Sequence, residues 1–172
     1  KNGQQFSAGA GLHSQMQPTY QYTYQQVNTD GEMRRLNEDM DFTKSFHSAI
    51  GYQKNFKSNL TLKSEVYYQH LYNIPVDTYA SSFSLINQGS GFQRFFPDEL
   101  VNEGTGTNYG VEVSVQKYFN KSFFFLATGS LFESKYKGSD GIERNTDFNG
   151  NYAVNFLAGK EFKINERNMI SA

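Results

Sequence analysis

The chain of 172 residues contains no cysteine, only three prolines and no long hydrophobic run. The absence of cysteine excludes disulfides and thiolate metal sites, and it fits an oxidising exterior where free thiols are avoided. The longest apolar run, at 123–127, is far shorter than the roughly 18 residues of a membrane-spanning helix. A helical membrane protein is therefore excluded. A membrane β-barrel is not, because its strands carry a much weaker hydropathy signal.

The chain also lacks an excess of either charge, since its formal net charge is −1, and it has no cluster of lysine and arginine. Nucleic-acid binding needs a basic patch, so we predict no nucleic-acid partner. Aromatic residues are abundant: 12 Tyr and 16 Phe stand in a chain whose mean hydropathy is −0.66. Aromatic residues separated by polar runs favour many strands and loops over a helical bundle.

The segment 103–119 reads EGTGTNYGVEVSVQKYF, and its glycines raise the question of a phosphate-binding loop. Such a loop needs a helix directly after the glycines, whose N-terminal amides hold the phosphate. Here Val111, Val113 and Val115 alternate with polar residues instead. A period of two with β-branched residues predicts a strand. The glycines are better explained as the place where a loop turns into that strand.

The same alternation of apolar and polar residues recurs along the chain. It predicts six strands, at about 3–16, 42–55, 59–73, 107–119, 122–136 and 150–163. The phase is ambiguous only in the fifth, where four consecutive apolar residues interrupt the alternation. We therefore predict an all-β fold in which the strands form an antiparallel up-and-down meander.

The connections between the predicted strands alternate in length. Those at 17–41, 74–106 and 137–149 are long, whereas those at 54–59, 120–122 and 165–168 are tight. In an antiparallel meander, alternate connections lie at opposite ends of the sheet, so we expect all long loops at one end. A soluble sandwich has no physical reason for this segregation. It is typical of a transmembrane barrel, which has long extracellular loops and short periplasmic turns.

Aromatic residues gather at both ends of the predicted strands, as in the two interfacial girdles of a barrel. The girdle near the tight turns would contain Phe56, Phe119, Phe123 and Phe162, and the girdle near the long loops Phe42, Tyr72, Tyr109, Tyr136 and Tyr152. The polar faces carry charged side chains that would be costly in a closed core but not in a hydrated lumen. We therefore predict a partial transmembrane β-barrel of about six strands, an arc of a larger barrel, with residues 1–172 as a fragment.

Three later segments are distinctive: GTGTNYGVE at 104–112, SKYKGSDG at 134–141 and FNGNYAVNFLAGKEF at 148–162. From about Leu60 to Phe162 the chain resembles the late barrel strands of TonB-dependent outer-membrane receptors, especially the subgroup with a carboxypeptidase-regulatory-like extension. The resemblance implies a 22-strand barrel in the Gram-negative outer membrane, in contact with its lipid. It also implies import of a scarce nutrient such as a siderophore, glycan or peptide. TonB would act through a plug domain outside residues 1–172.

The long loops are where a receptor would recognise its ligand. In the loop 74–106, Arg94, Phe95 and Phe96 could form an exposed aromatic platform with a cationic partner, although packing of the loop against its neighbours is the explanation that their position favours. In the loop 137–149, Arg144 and Asp147 offer charges of both signs. From position and chemistry we predict these five residues as ligand-binding.

Other chemistry has weaker support in the sequence. The run from Asn145 to Gly150 resembles the start of a calcium loop, but Phe156 stands where a bidentate glutamate is needed. We predict no metal, no cofactor and no enzymatic activity, and a role in ligand recognition and passage. Two alternatives remain open: a passive or structural outer-membrane barrel without TonB coupling, and a soluble β-domain that binds carbohydrate.

Overall fold

The computed structural model describes residues 3–57, 59–88, 98–120, 122–165 and 169–171. Its main sheet contains eight strands: β1 (Gln4–Gln15), β4 (Thr43–Phe56), β5 (Leu60–Asp77), β6 (Leu100–Asn120), β7 (Phe123–Lys137), β8 (Glu143–Asn145), β9 (Tyr152–Lys163) and β10 (Met169–Ser171). A separate pair, β2 (Gln25–Val27) and β3 (Met33–Arg35), lies in the first long connection. Helical structure is limited to one turn at Thr19–Tyr22 and a 3-10 turn at Leu85–Asn87. Within these described ranges, no helix has the length and apolar character needed to cross a membrane.

The strand order of the main sheet is β1-β4-β5-β6-β7-β9-β10, with β8 paired to β7 beyond the end of β9. Neighbouring strands are antiparallel throughout. The predicted all-β antiparallel meander is therefore confirmed, and its six long strands match the six predicted from the sequence. In the part of the chain that the structure describes, the sheet is open, with β1 and β10 as its edges. Whether it is an arc of a barrel stays a prediction.

The central hairpin is longer than the alternation of residues indicated. Strand β5 continues to Asp77 and β6 begins at Leu100, so the loop between them is 78–99 and the predicted range of 74–106 is wrong. Two register shifts beside Ile74 obscure the period of two in the sequence. At Gly104 a Cβ atom would lie 2.6 Å from Val76 Cγ1 and 2.8 Å from the carbonyl oxygen of Ile74, so this glycine permits close pairing.

Long and short connections lie at opposite ends of the sheet, as predicted. The strand pairs Gln15–Thr43 and Asp77–Leu100 flank the first two long connections. The third connection, from β7 to β9, leaves the sheet at Lys137 at the same end and contains the short strand β8. Tight turns join the pairs Phe56–Leu60 and Asn120–Phe123 at the other end. We call these the long-loop end and the tight-turn end.

The small hydrophobic core sits at the long-loop end and not behind the middle of the sheet. Its buried apolar residues are Met40, Ile74, Val76, Leu85, Leu100 and Tyr136. The Tyr136 hydroxyl donates a hydrogen bond to the Ser82 carbonyl oxygen at 3.1 Å. Its placement in an interfacial girdle was wrong, because Tyr136 lies on the opposite face of the sheet from Tyr109 and Tyr152.

The register gives the middle of the sheet one mainly apolar face, whereas the other face has polar side chains together with Tyr67, Leu126, Phe132 and Leu157. Directly paired positions form an apolar row across six strands, made of Ala8, Ile50, Val66, Val111, Leu131 and Tyr152. The row is open to its surroundings, since Ile50 is 67% exposed, Leu131 63% and Tyr152 70%. We call this surface the apolar face. It also includes Phe6, Leu12, Val113, Val154 and Phe156.

Truncation of an isoleucine should lower the free energy of unfolding more in the core than on the apolar face. Ile74→Ala should lower the free energy of unfolding by about 2–5 kcal/mol, because it leaves a cavity at the long-loop end. Ile50→Ala should change it by less than about 1 kcal/mol, because this side chain is already exposed. Denaturant unfolding of both variants in one detergent measures the difference, and equal losses would contradict this position of the core.

Candidate functional site

A groove of about 460 Å³ runs across the face opposite the apolar row. We call it the polar groove, and its polar side chains are Gln5, Ser7, Gln53, Lys63, Glu65, Glu112, Ser114, Thr128, Ser130 and Asn155. They stand at alternate positions of six neighbouring strands, so the same alternation that creates the apolar face also collects these groups on the other side. The groove is thus built from regular strands.

Small side chains keep the floor of the groove open. Gly51 pairs with Ser7 on one side and with Glu65 on the other. A Cβ atom at Gly51 would lie 2.6 Å from Ser7 Oγ and 3.7 Å from Glu65 Oε2. A larger residue at this position would therefore displace the serine and narrow the groove between β1 and β5.

The groove is charged at its centre. Glu65 and Glu112 are directly opposite each other on β5 and β6, and Lys63 stands two residues before Glu65 on the same face. Like charges at paired positions destabilise a sheet, but both carboxylates are exposed, so water screens their repulsion. The arrangement offers acceptors, amide donors and one ammonium group to a polar ligand. No group of three or more His, Asp or Glu residues that could hold a metal ion occurs in the described ranges.

At the long-loop end, Asn37 fastens the first long loop to the second. Its side chain is 1% exposed. Asn37 Nδ2 donates to the Asp98 carbonyl oxygen at 2.7 Å, and the Leu100 backbone N–H donates to Asn37 Oδ1 at 2.9 Å. One buried amide thus satisfies two backbone groups that lie about sixty residues further along the chain.

Asp41 forms a second junction, which joins the first long loop to strands β5 and β6. Its carboxylate accepts hydrogen bonds from Lys44 Nζ at 2.6 Å and from Asn73 Nδ2 at 3.0 Å. Its backbone N–H donates to Asn102 Oδ1 at 2.8 Å. The Lys44 hydrogen bond, followed by one from the Phe42 backbone, lowers the pKa of the Asp41 carboxyl below its ordinary value. The ionised form of Asp41 therefore holds the junction.

The third long loop carries two of the predicted ligand-binding residues. Arg144 forms a two-pronged ion pair with Asp140, with N···O distances of 2.9 and 2.7 Å, and this pairing lowers the pKa of the Asp140 carboxyl. The Asp147 backbone N–H donates to Asn87 Oδ1 at 3.2 Å, which docks this loop on the second one. Arg144, in the short strand β8, and Asp147, which follows it, thus belong to a connection that is held in place. Their role toward a ligand stays a prediction.

The remaining predicted residues, Arg94, Phe95 and Phe96, lie outside the described residues. In the segment from Asn145 to Gly150, which resembles the start of a calcium loop, one candidate ligand already has a structural role. Asn149 Oδ1 accepts a hydrogen bond from the Ser134 backbone N–H at 3.2 Å. Sequence reasoning missed Asn37 and Asp41 as loop anchors. The sequence signal for them was only that an Asn and an Asp stand near a boundary between a loop and a strand. Their hydrogen-bond partners are about sixty residues away in the chain and cannot be inferred from local spacing.

Removal of the buried Asn37 amide should loosen the first long loop. Asn37→Ala leaves the Leu100 N–H and the Asp98 carbonyl without a partner, at a cost of about 1–3 kcal/mol in local stability. Amide hydrogen exchange of residues 36–41 and 98–102 should accelerate, whereas the middle of β6 should be unaffected. Asp39→Ala is the matched control, since this exposed side chain lies in the same loop; equal acceleration in both variants would contradict the role of Asn37.

The ion pair in the third long loop should respond to acid. The folded pKa of Asp140 lies below its usual value of 3.8, so its stabilising effect is complete above pH about 4 and is lost as the pH falls through the folded pKa. Nuclear magnetic resonance of the Ile142 amide, which donates to Asp140 Oδ1, should follow this transition. Asp140→Asn should abolish it, and a carboxyl that titrates at or above 3.8 would contradict the pairing.

Three surfaces make up the candidate site: the polar groove, the docked long loops and the exposed apolar face. Comparison of the chain with models of protein families, with curated proteins and with solved structures found no match. The geometry of these three surfaces therefore carries the functional interpretation.

Proposed function

We propose that the chain is part of the β-barrel of a TonB-dependent outer-membrane receptor that binds and imports a scarce nutrient. In this proposal the apolar face contacts the hydrocarbon of the outer membrane, and the polar groove forms part of the wall of a hydrated lumen. The docked long loops form the extracellular side. Coupling to TonB would act through a plug domain outside residues 1–172.

The observation that carries the membrane location is the exposure of large apolar side chains on the apolar face, on the side of the sheet opposite the polar groove. Val154 is 75% exposed and Phe156 72% exposed on β9, as are Phe6 at 76% and Leu12 at 73% on β1. Soluble monomers rarely expose contiguous apolar patches larger than a few hundred Å². A lipid environment would cover this face without any further protein layer.

The dimensions of the strands support the same location. Strand β6 runs from Leu100 to Asn120, and its section between the aromatic residues Tyr109 and Phe119 advances ten steps. At ~3.3 Å per step and a tilt of about 40°, this length spans roughly 25 Å, which is the height of the lipid-facing band of a barrel. The segregated connections agree, since outer-membrane barrels have long loops on the outside and short turns on the periplasmic side.

Import coupled to TonB depends on a different observation, the resemblance of residues 104–112, 134–141 and 148–162 to the late strands of TonB-dependent receptors. A passive barrel would share the lipid-facing surface but would need no plug domain. A plug domain and a TonB box encoded upstream in the same reading frame would favour the TonB-coupled receptor over the passive barrel.

The membrane location can be tested with single cysteines, because residues 1–172 contain none. Nitroxide labels placed one at a time along 111–116 report collisions with oxygen, which is concentrated in hydrocarbon, and with a water-soluble nickel complex. In lipid vesicles, labels at Val111, Val113 and Val115 should favour oxygen, and labels at Glu112, Ser114 and Gln116 should favour nickel. The period of two follows from the pleat of β6.

The soluble carbohydrate-binding alternative predicts another outcome for the same labels. Nickel would reach both sets in a protein that stays in water, and the protein would not float with the vesicles. Either result would overturn the membrane location.

A further inference from the structure

Three lysines stand on the apolar face, each with its ammonium group over an aromatic ring. Lys54 Nζ lies 5.0 Å from the centroid of Phe56, and Lys160 Nζ lies 4.9 Å from that of Phe162. Lys117 Nζ lies 5.7 Å from the centroid of the Phe123 ring. We call Lys54, Lys117 and Lys160 the lysine belt. Their cation–π contacts hold the ammonium groups close to the sheet.

The register places the belt on the apolar side at the tight-turn end. Lys54 pairs with Leu62, Lys117 with Leu60, and Lys160 with Phe123. Each lysine therefore lies among apolar neighbours near the end of its strand. A lysine in this setting lays its methylene stem along the apolar surface and extends its charge toward the polar boundary.

Carboxylates are scarce around the belt. The tight-turn segments 53–63 and 114–125 contain no acidic residue. On β9, Glu161 follows Lys160 directly but lies on the reverse face of the sheet, and Glu166 in the third tight connection lies outside the described residues. None of the salt bridges among the described residues includes a belt lysine, whereas on the same face at the long-loop end Glu133 is paired with Lys135 at 2.9 Å. Among the described residues, the long-loop boundary of the apolar face thus carries an ion pair, whereas the lysines at the tight-turn boundary contact aromatic rings and form no salt bridge.

We propose that the lysine belt binds the anionic headgroups of phospholipids in the bilayer leaflet at the tight-turn end. This inference rests on the proposed membrane location. Lysines near an anionic lipid surface attract it electrostatically, and here the acyl chains of the same lipids would cover the adjoining apolar row at Leu62 and Val115. A bilayer lipid therefore satisfies both the charge and the apolar surface, which a soluble anion would not.

The test uses the full chain reconstituted in phosphatidylcholine vesicles with trace spin-labelled lipids. Electron spin resonance gives the motionally restricted fraction of spin-labelled phosphatidylglycerol relative to that of phosphatidylcholine. The wild type should prefer phosphatidylglycerol, and the preference should weaken as salt is raised. Replacing the belt with Lys54→Gln, Lys117→Gln and Lys160→Gln should lower it by roughly two- to fivefold.

The matched control removes the same charge at the long-loop end, through Arg34→Gln, Arg35→Gln and Lys137→Gln, all exposed residues. This variant should keep the wild-type preference, as should a belt variant with arginine at all three positions. Restricted lipid without a preference for phosphatidylglycerol, or an equal loss in the belt and control variants, would overturn the inference and leave the membrane location standing. A complete absence of restricted lipid from the wild type would overturn the membrane location itself.

Discussion

The cross-strand register is the constraint on which the other features depend. It joins Ala8, Ile50, Val66, Val111 and Leu131 into one row, and it places the carboxylates of the polar groove on the reverse side. Because side chains alternate with a period of two, a slip of one residue in any pair would move polar groups onto the apolar face. Hairpins with tight turns fix the register between β4 and β5 and between β6 and β7.

The packing of the molecule differs between its two ends. Buried apolar side chains such as Ile74 and Leu100 lie at the long-loop end, where Asn37 and Asp41 fasten the first long loop to the second loop and to β6 by hydrogen bonds. The middle of the sheet has paired strands but exposes its apolar side chains. The proposed receptor barrel rests on this difference, because in such a barrel lipid covers the exposed strands and the loops recognise ligands.

The sequence predicted the six long strands and the segregation of the loops because alternation and connection length are local properties of the chain. It could not predict the extension of the central hairpin, since the bulges beside Ile74 break the period of two. Tyr136 was misplaced because the run of phenylalanines before it obscured which residues of β7 share a face. The loop anchors were missed because Asn37 and Leu100 meet only through tertiary folding.

The central claim is that one side of the meander contacts lipid chains and the other contacts water. Proton spin diffusion measured by solid-state magnetic resonance in bilayers tests it most directly, because it records which protons receive magnetisation from lipid acyl chains and which from water. We expect the methyl groups of Val66 and Leu131 to respond first to the lipid chains, and Lys63 and Glu65 to respond first to water. Methyl groups that receive water magnetisation as fast as Lys63, or none from lipid, would contradict the claim.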